Sequence, residues 1–368
     1  GLARAAKMLL GAGHPAIVCG DEVARSGALG ALTRLAELTG ALVHNEVLPA
    51  RVNMPFDHPL QRTRMGQDQP AIRERLGDAD VVLLVGGRFF EEVWFVDGDP
   101  FPAGSKVIHI DPVPANVGYN YRVDCGLVAD VGVALEQLVE AIETQAGEGF
   151  KRAAANRMAA HSKNKTDLLE AQAHKADSDP GNRPMSTATL MHILREASPE
   201  NVAVAGEAIT AGADLLATFP FQDPLDYLAS RGGGIGQGLP SAIGLKLAQP
   251  RRPVLCVSGD GSALYTIQAL WTAAHHRIPI VFVIVNNGTY RILKLNMNRY
   301  RKTASIDADR GYPHLDLAHP PVDFVSTAEG LGVSARRVND AGELKAAVEW
   351  AFDSNGPCLL DVSVDAGS

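Results

Sequence analysis

Two unbroken apolar runs, Val254 to Ser258 (VLCVS) and Ile278 to Val285 (IPIVFVIV), flank one helix-length segment, Ala263 to His275. Neither run alternates apolar with polar, so each reads as a strand buried on both faces, the pattern of a parallel sheet covered by helices. Polar motifs begin where the apolar runs end: Gly259-Asp260-Gly261-Ser262 after the first and Asn286-Asn287 after the second. Both motifs therefore fall at the carboxyl ends of neighbouring strands, the edge at which open α/β sheets place ligands. Asp260 offers a carboxylate and Asn287 an amide oxygen. These are hard donors suited to Mg²⁺, which fills its remaining octahedral positions with phosphate oxygens and water. Gly261 lets a phosphate approach the main chain, and Ser262 can donate a hydroxyl where the helix begins. Each motif alone is ordinary turn chemistry; the pair, with strand, helix and strand arranged around it, is far more specific.

The alternation extends over the whole chain and divides it once. Residues 1–144 run through PAIVCG, a helix from Ala28 to Leu38, ALVHNE, a helix near Ala71 to Leu76, VVLLVG, KVIHID and a helix from Val131 to Ile142. Residues 145–184 are polar, close on Asp179-Pro180-Gly181-Asn182-Arg183-Pro184, and read as a linker with some helix. Residues 185–368 carry a second unit: the strand NVAVAG, a helix from Glu207 to Thr218, the two runs above, helices at Phe324 to Gly330 and Ala341 to Phe352, and a last strand from Cys358 to Val364. The expected fold is α/β, with two doubly wound parallel-sheet domains.

Composition narrows the function classes. At 368 residues the chain can bury two sizeable cores. A net charge of −8 without a basic run argues against nucleic acid and anionic membrane as partners. Four scattered cysteines suit buried thiols in a reducing, cytoplasmic compartment. Eleven histidines form no zinc-ligand spacing. Gly11-Ala12-Gly13-His14-Pro15-Ala16 is loosely dinucleotide-like, but it precedes its strand, the reverse of the order that fingerprint requires.

The stretch GDGSALYTIQALWTAAHHRIPIVFVIVNNGTY resembles the motif, opening on GDG and closing on NN, of the thiamin diphosphate enzymes that decarboxylate or ligate 2-keto acids, with the benzoylformate decarboxylases most similar. Arg231-Gly232-Gly233-Gly234-Ile235-Gly236-Gln237-Gly238-Leu239-Pro240-Ser241-Ala242-Ile243-Gly244 is similar to that family's glycine-rich segment. The resemblance implies that Gly233 holds the aminopyrimidine through its main chain while Ile235 bends the cofactor. It implies Mg²⁺ bound by Asp260, Asn287 and the main chain of Thr289. It also implies a diphosphate beside Ile209, Thr210, Gly261, Ser262 and Tyr290. Ala208 to Thr210 are expected at a helix N-terminus, whose free N–H groups suit that diphosphate. Glu207 reads as an ordinary cap residue.

The resemblance covers the central and diphosphate-binding domains. The family's pyrimidine-binding domain, whose glutamate protonates the aminopyrimidine, is expected from elsewhere in the same polypeptide or from another, and no catalytic acid or base is assigned here. The implied substrate is a small 2-keto acid, and the implied assembly is a homodimer or homotetramer. Two departures bear on substrate: Phe89 to Phe95 (FFEEVWF) lacks the histidine that benzoylformate decarboxylases carry there, and Arg291-Ile292-Leu293-Lys294-Leu295-Asn296 after Tyr290 is not their substrate-lining pattern, with Ile292 and Leu293 either pocket walls or helix core. Val85-Gly86-Gly87-Arg88-Phe89 and Ile108-His109-Ile110-Asp111 also resemble acetolactate synthases, whose central domain holds FAD; an FAD-containing carboligase is thus a rival, ranked lower. A non-catalytic structural or regulatory subunit is the other rival, against which stand the retained Asp260 and Asn287.

Overall fold

A computed structural model of the chain describes residues 1–90, 94–177, 184–306, 311–312 and 314–366. Glu91 to Val93 of the FFEEVWF stretch and Asp179 to Arg183 of the closing turn lie outside the described residues. The chain divides into two compact units, residues 1–169 with 220–224, and residues 170–219 with 225–368.

The first unit holds six strands: β1 (Pro15–Cys19), β2 (Leu42–Asn45), β3 (Gln61–Arg64), β4 (Val81–Val85), β5 (Lys106–Asp111) and β6 (Cys125–Val128). They pair in parallel in the order β3-β2-β1-β4-β5-β6. Alternate residues feed opposite faces: Ile17, Cys19, Leu83 and Val85 enter one apolar core, and Ala16, Val18, Val82 and Leu84 the other. That two-sided burial is why these strands carry no polar alternation. The helices Leu29–Thr39 and Gln69–Leu76 lie between strands as the alternation requires and Val131–Gln145 follows β6, the last two capped by Asp68 and Asp130. One helix of 30 residues, Glu148–Asp177, occupies most of the polar stretch after them. Pro220–Pro224 joins this unit, where the Phe56 N–H donates to the Phe221 carbonyl at 2.8 Å.

The second unit repeats the plan with β7 (Ala203–Glu207), β8 (Tyr227–Ala229), β9 (Val254–Gly259), β10 (Val281–Asn286), β11 (Ser334–Val338) and β12 (Cys358–Ser363). The order is β11-β12-β10-β9-β7-β8, again parallel throughout. The chain leaves β7 outward to β8 and returns on the other side to β9. The strand order therefore reverses between β7 and β9, the place at whose carboxyl ends open α/β sheets bind ligands.

Two helix expectations need correction. The helix after β7 spans Gly212–Thr218 rather than starting at Glu207, because the strand continues through Glu207 and the next four residues turn. The helix expected from Ala263 to His275 is broken into Asp260–Ala263 and Ala269–His275. Between them the bonds run three residues back, from Tyr265 N to Ser262 O and from Thr266 N to Ala263 O, which tightens the chain into turns.

Candidate active site at the strand-order reversal

Asp260 follows the last residue of β9 and is 5% exposed. Its Oδ1 accepts from the Gly261 N–H at 2.8 Å and its Oδ2 from the Gly288 N–H at 2.7 Å, so the carboxylate joins the ends of β9 and β10. Burial pushes the Asp260 carboxyl above the usual carboxylate range, against the opposing pull of the backbone N–H groups of Gly261, Gly288, Asn287 and Thr289. No cationic side chain among the described residues offsets it. A desolvated carboxylate held in this way at a sheet edge is an acceptor for a cation.

Beyond Asn286 the main chain turns through Gly288, which has φ 65°, and brings Asn287 and Thr289 back toward Asp260. Asn287 Oδ1 accepts from the Thr289 N–H at 3.1 Å, and Thr289 Oγ1 donates to the Leu315 carbonyl at 2.6 Å. Tyr290 lies over Gly261, where a Cβ would come within 2.5 Å of the ring; only glycine fits beneath it. Ser262 is buried at the start of the short helix. The donors gathered around Asp260 are one carboxylate, one amide and main-chain groups. Among the described residues no cluster of three or more His, Cys, Asp or Glu forms a metal site, which suits an ion that takes its other ligands from phosphate and water.

The glycine-rich segment is held from β7. Glu207 Oε1 accepts from the Gln237 N–H at 2.9 Å and Oε2 from the Gly238 N–H at 2.8 Å. Glu207 therefore caps the helix Gly238–Ala248, not the helix that follows it in sequence. The signal that could have located it is a lone carboxylate ending an otherwise apolar strand run. Gly236, at φ 98°, presses against Tyr265, and its carbonyl accepts from Thr266 Oγ1 at 2.7 Å. The broken helix after Asp260 thus forms the seat of the glycine loop.

The remaining sequence-derived residues are placed less tightly. Gly233 is exposed and Ile235 half-buried in the glycine loop. Ile209 is 42% exposed and Thr210 half-buried, both in the turn before Gly212 instead of on a helix N-terminus. The helix Arg291–Thr303 has no buried residue, so Ile292 and Leu293 are not helix core; Ile292 is half-buried and Leu293 exposed.

In the first unit, His109 Nε2 lies 3.2 Å from the Gly87 carbonyl and Nδ1 accepts from the Gly118 N–H at 3.2 Å, with burial pulling its pKa down. Asp111 Oδ1 accepts from Val113 N and Asn116 Nδ2, while Oδ2 is buried without a hydrogen-bond partner among the described residues. The four cysteines are free and buried. Among the described residues no helix is long and apolar enough to cross a membrane.

Comparison with known proteins places both units in one enzyme family. The central-domain model of the thiamine pyrophosphate enzymes matches residues 2–138, and the model of their C-terminal TPP binding domain matches residues 210–362. Benzoylformate decarboxylase of Pseudomonas aeruginosa is 29% identical over 349 residues, covering 95% of this chain and 61% of that protein. A "probable acetolactate synthase large subunit" of Methanocaldococcus jannaschii is 30% identical over 377 residues, covering 98% of this chain and 59% of that protein. The structure of the thiamine diphosphate-dependent 4-hydroxybenzoylformate decarboxylase of Rhodococcus jostii RHA1 superposes with a TM-score of 0.82 at 26% identity, over 99% of this chain and 64% of that one. The chain spans about three fifths of the length of these relatives.

Proposed function

The chain belongs to the thiamine pyrophosphate enzymes, carrying their central and C-terminal TPP binding domains, and from that premise we propose that it serves Mg²⁺-dependent decarboxylation of a small 2-keto acid. Carboligation follows when a second carbonyl compound is the acceptor. The observation that carries this reading is the buried Asp260 carboxylate, without a cationic partner among the described residues, bonded from the end of β9 to the Gly288 N–H beyond the end of β10. Asp260, Asn287 and the main chain of Thr289 would hold Mg²⁺. Ile209, Thr210, Gly261, Ser262 and Tyr290 would surround the diphosphate, and Gly233 and Ile235 would face the aminopyrimidine. The chemistry that bound thiamin diphosphate supplies is acceptance of the electron pair released as carbon dioxide leaves the keto acid. The chain's own part is to orient that group: Glu207 fixes the glycine loop, the Tyr290 ring covers Gly261, and the loop 286–289 aims oxygen donors. A pyrimidine-binding domain, in the same or another polypeptide, would complete the site and bring the protein to a homodimer or homotetramer in the cytoplasm.

Calorimetric titration of the chain with thiamin diphosphate and Mg²⁺ tests the reading. Asp260→Ala is expected to abolish the metal-dependent heat. Binding by the variant at near wild-type affinity would show that the metal lies elsewhere.

A second reading, an acetolactate synthase-like carboligase with FAD in the first unit, is favoured by one feature. Asp111 Oδ2 is a buried acceptor without a partner among the described residues, at the end of β5. Purified protein with flavin absorbance would move the assignment to that reading; colourless protein that takes up no FAD would retire it.

A further inference from the structure

Asp361, on β12, is fully enclosed in the second sheet. In register it lies opposite Ile284 of β10 on one side and opposite Arg337 of β11 on the other. Its Oδ1 accepts from Asn286 Nδ2 at 2.8 Å, and its Oδ2 accepts from Arg337 Nε at 3.0 Å. Arg337 is half exposed and also donates to Asp323 Oδ1 at 2.8 Å, the residue that caps the helix Phe324–Gly330. On the inner side, Asn286 Oδ1 accepts at 3.2 Å from the Gly288 N–H, the same group that donates to Asp260 Oδ2 at 2.7 Å.

A carboxylate only accepts hydrogen bonds, whereas a primary amide accepts at one end and donates at the other. Placed against Asp361, the Asn286 amide can turn only its NH₂ outward and must point its oxygen at Gly288. We propose that Asp361, held in place by Arg337, is a positioning residue for the loop 286–289. It selects one orientation of the Asn286 amide, the Gly288 N–H is then shared between Asn286 and Asp260, and the main chain that presents Asn287 and Thr289 is set by that sharing. The chain of contacts runs from the sheet edge to Asp260 through β11, β12 and β10, and none of its outer members touches the metal donors. The consequence for metal binding rests on the function proposed above; the selection of the amide orientation does not.

The variant that isolates the idea is Asp361→Asn, which keeps shape and volume but can meet Asn286 with either end of an amide. Arg337→Gln, at a half-exposed position, is the companion that leaves the core intact. Arg337→Lys keeps the charge, and Ser363→Ala alters the β12 position two residues on, which lies opposite Asn286 in register but whose hydroxyl bonds Asn339. Two measurements are made on the 368-residue chain: the ¹H–¹⁵N shift and hydrogen exchange of the Gly288 amide without metal, and Mg²⁺ affinity by calorimetry with saturating thiamin diphosphate. Asp361→Asn is expected to move the Gly288 resonance, speed its exchange and weaken Mg²⁺ roughly 10- to 100-fold, the range typical of groups that orient metal ligands. Arg337→Gln should act in the same direction but less, with Arg337→Lys and Ser363→Ala close to wild type. An unmoved Gly288 amide in both Asp361→Asn and Arg337→Gln would overturn the proposal. So would wild-type Mg²⁺ affinity in a folded Asp361→Asn chain, or an equal loss in Ser363→Ala. If the wild-type chain binds no Mg²⁺, the metal reading fails by itself, and Gly288 alone decides the positioning claim.

Discussion

The Glu207 carboxylate accepts from the Gly238 N–H at 2.8 Å, and a Cβ added to Gly238 would come within 2.8 Å of Glu207 Cβ. The end of β7 and the first residue of the helix Gly238–Ala248 are thus in direct contact, although 31 positions separate them. This contact fixes a glycine-rich segment, otherwise free to take many conformations, against the carboxyl end of β7.

Glu207→Gln should test that clamp. Glutamine offers one carbonyl to two N–H donors and turns its own NH₂ toward the other, so a buried main-chain group loses its acceptor. A loss of about 1–3 kcal/mol in stability is expected, with weaker thiamin diphosphate binding. Denaturant unfolding and cofactor titration of the same preparation check it; unchanged values in both would show that the loop stands without Glu207.

Gly261→Ala places a methyl 2.5 Å from Tyr290 Cε1 and 2.9 Å from Cδ1, so the ring must leave its position. The single change is expected to cost about 1–3 kcal/mol, typical of overpacking, and to weaken cofactor binding. Adding Tyr290→Ala should recover most of the stability but not the affinity. A double-mutant cycle measures this coupling, and additive effects would contradict the contact.

Gly20→Ala meets main chain instead of a movable ring: the new Cβ would lie 2.4 Å from the Gly86 carbonyl oxygen and 3.0 Å from Gly87 Cα. Because β1 and β4 are neighbours at the first sheet's own reversal, relief requires the strands to part. The loss should be at least as large as for Gly261→Ala, about 3 kcal/mol, and no second-site truncation should rescue it. Thermal unfolding of the variant beside wild type gives the answer.

Lys165 donates from Nζ to the Phe56 carbonyl at 2.7 Å and to Gln61 Oε1 at 2.9 Å, and burial, reinforced by Arg62, lowers its pKa from 10.5 to about 8. Below about pH 8 both folded and unfolded chains carry the ammonium. Between about 8 and 10.5 the unfolded chain keeps a proton that the folded chain has lost, so this residue makes stability rise with pH across that window. The unfolding free energy of wild type relative to Lys165→Met should therefore increase from pH 8 to pH 10. A flat difference in denaturant melts would mean that the amine keeps its ordinary pKa.

The eight inner strands of the two sheets are legible in the sequence, because each is largely buried on both faces and reads as a mainly apolar run: nearly unbroken in PAIVC and VVLLV of the first sheet and VLCVSG and VFVIVN of the second, and interrupted by polar residues in LVHN, KVIHID, AVAGE and CLLDVS. The four that the runs do not announce, β3, β6, β8 and β11, are the four edge strands. QRTR, CGLV, YLA and SARRV have a neighbour on one side only and are short or polar, so their place is decided by the strand they pair with and not by their own composition. The candidate site divides in the same way. Asp260 and Asn287 could be placed together from the sequence because one strand-helix-strand unit brings its two carboxyl ends to the same edge. The helix break between Ala263 and Ala269 could not, since it answers to Gly236 and the glycine loop seated on it. Nor could the clamp of Glu207 on Gly238 or the bond of Asp361 to Asn286, 75 positions apart. Local pattern determines which segments become buried strands and helices, but which buried carboxylate meets which amide depends on strand order, and only the tertiary structure decides that.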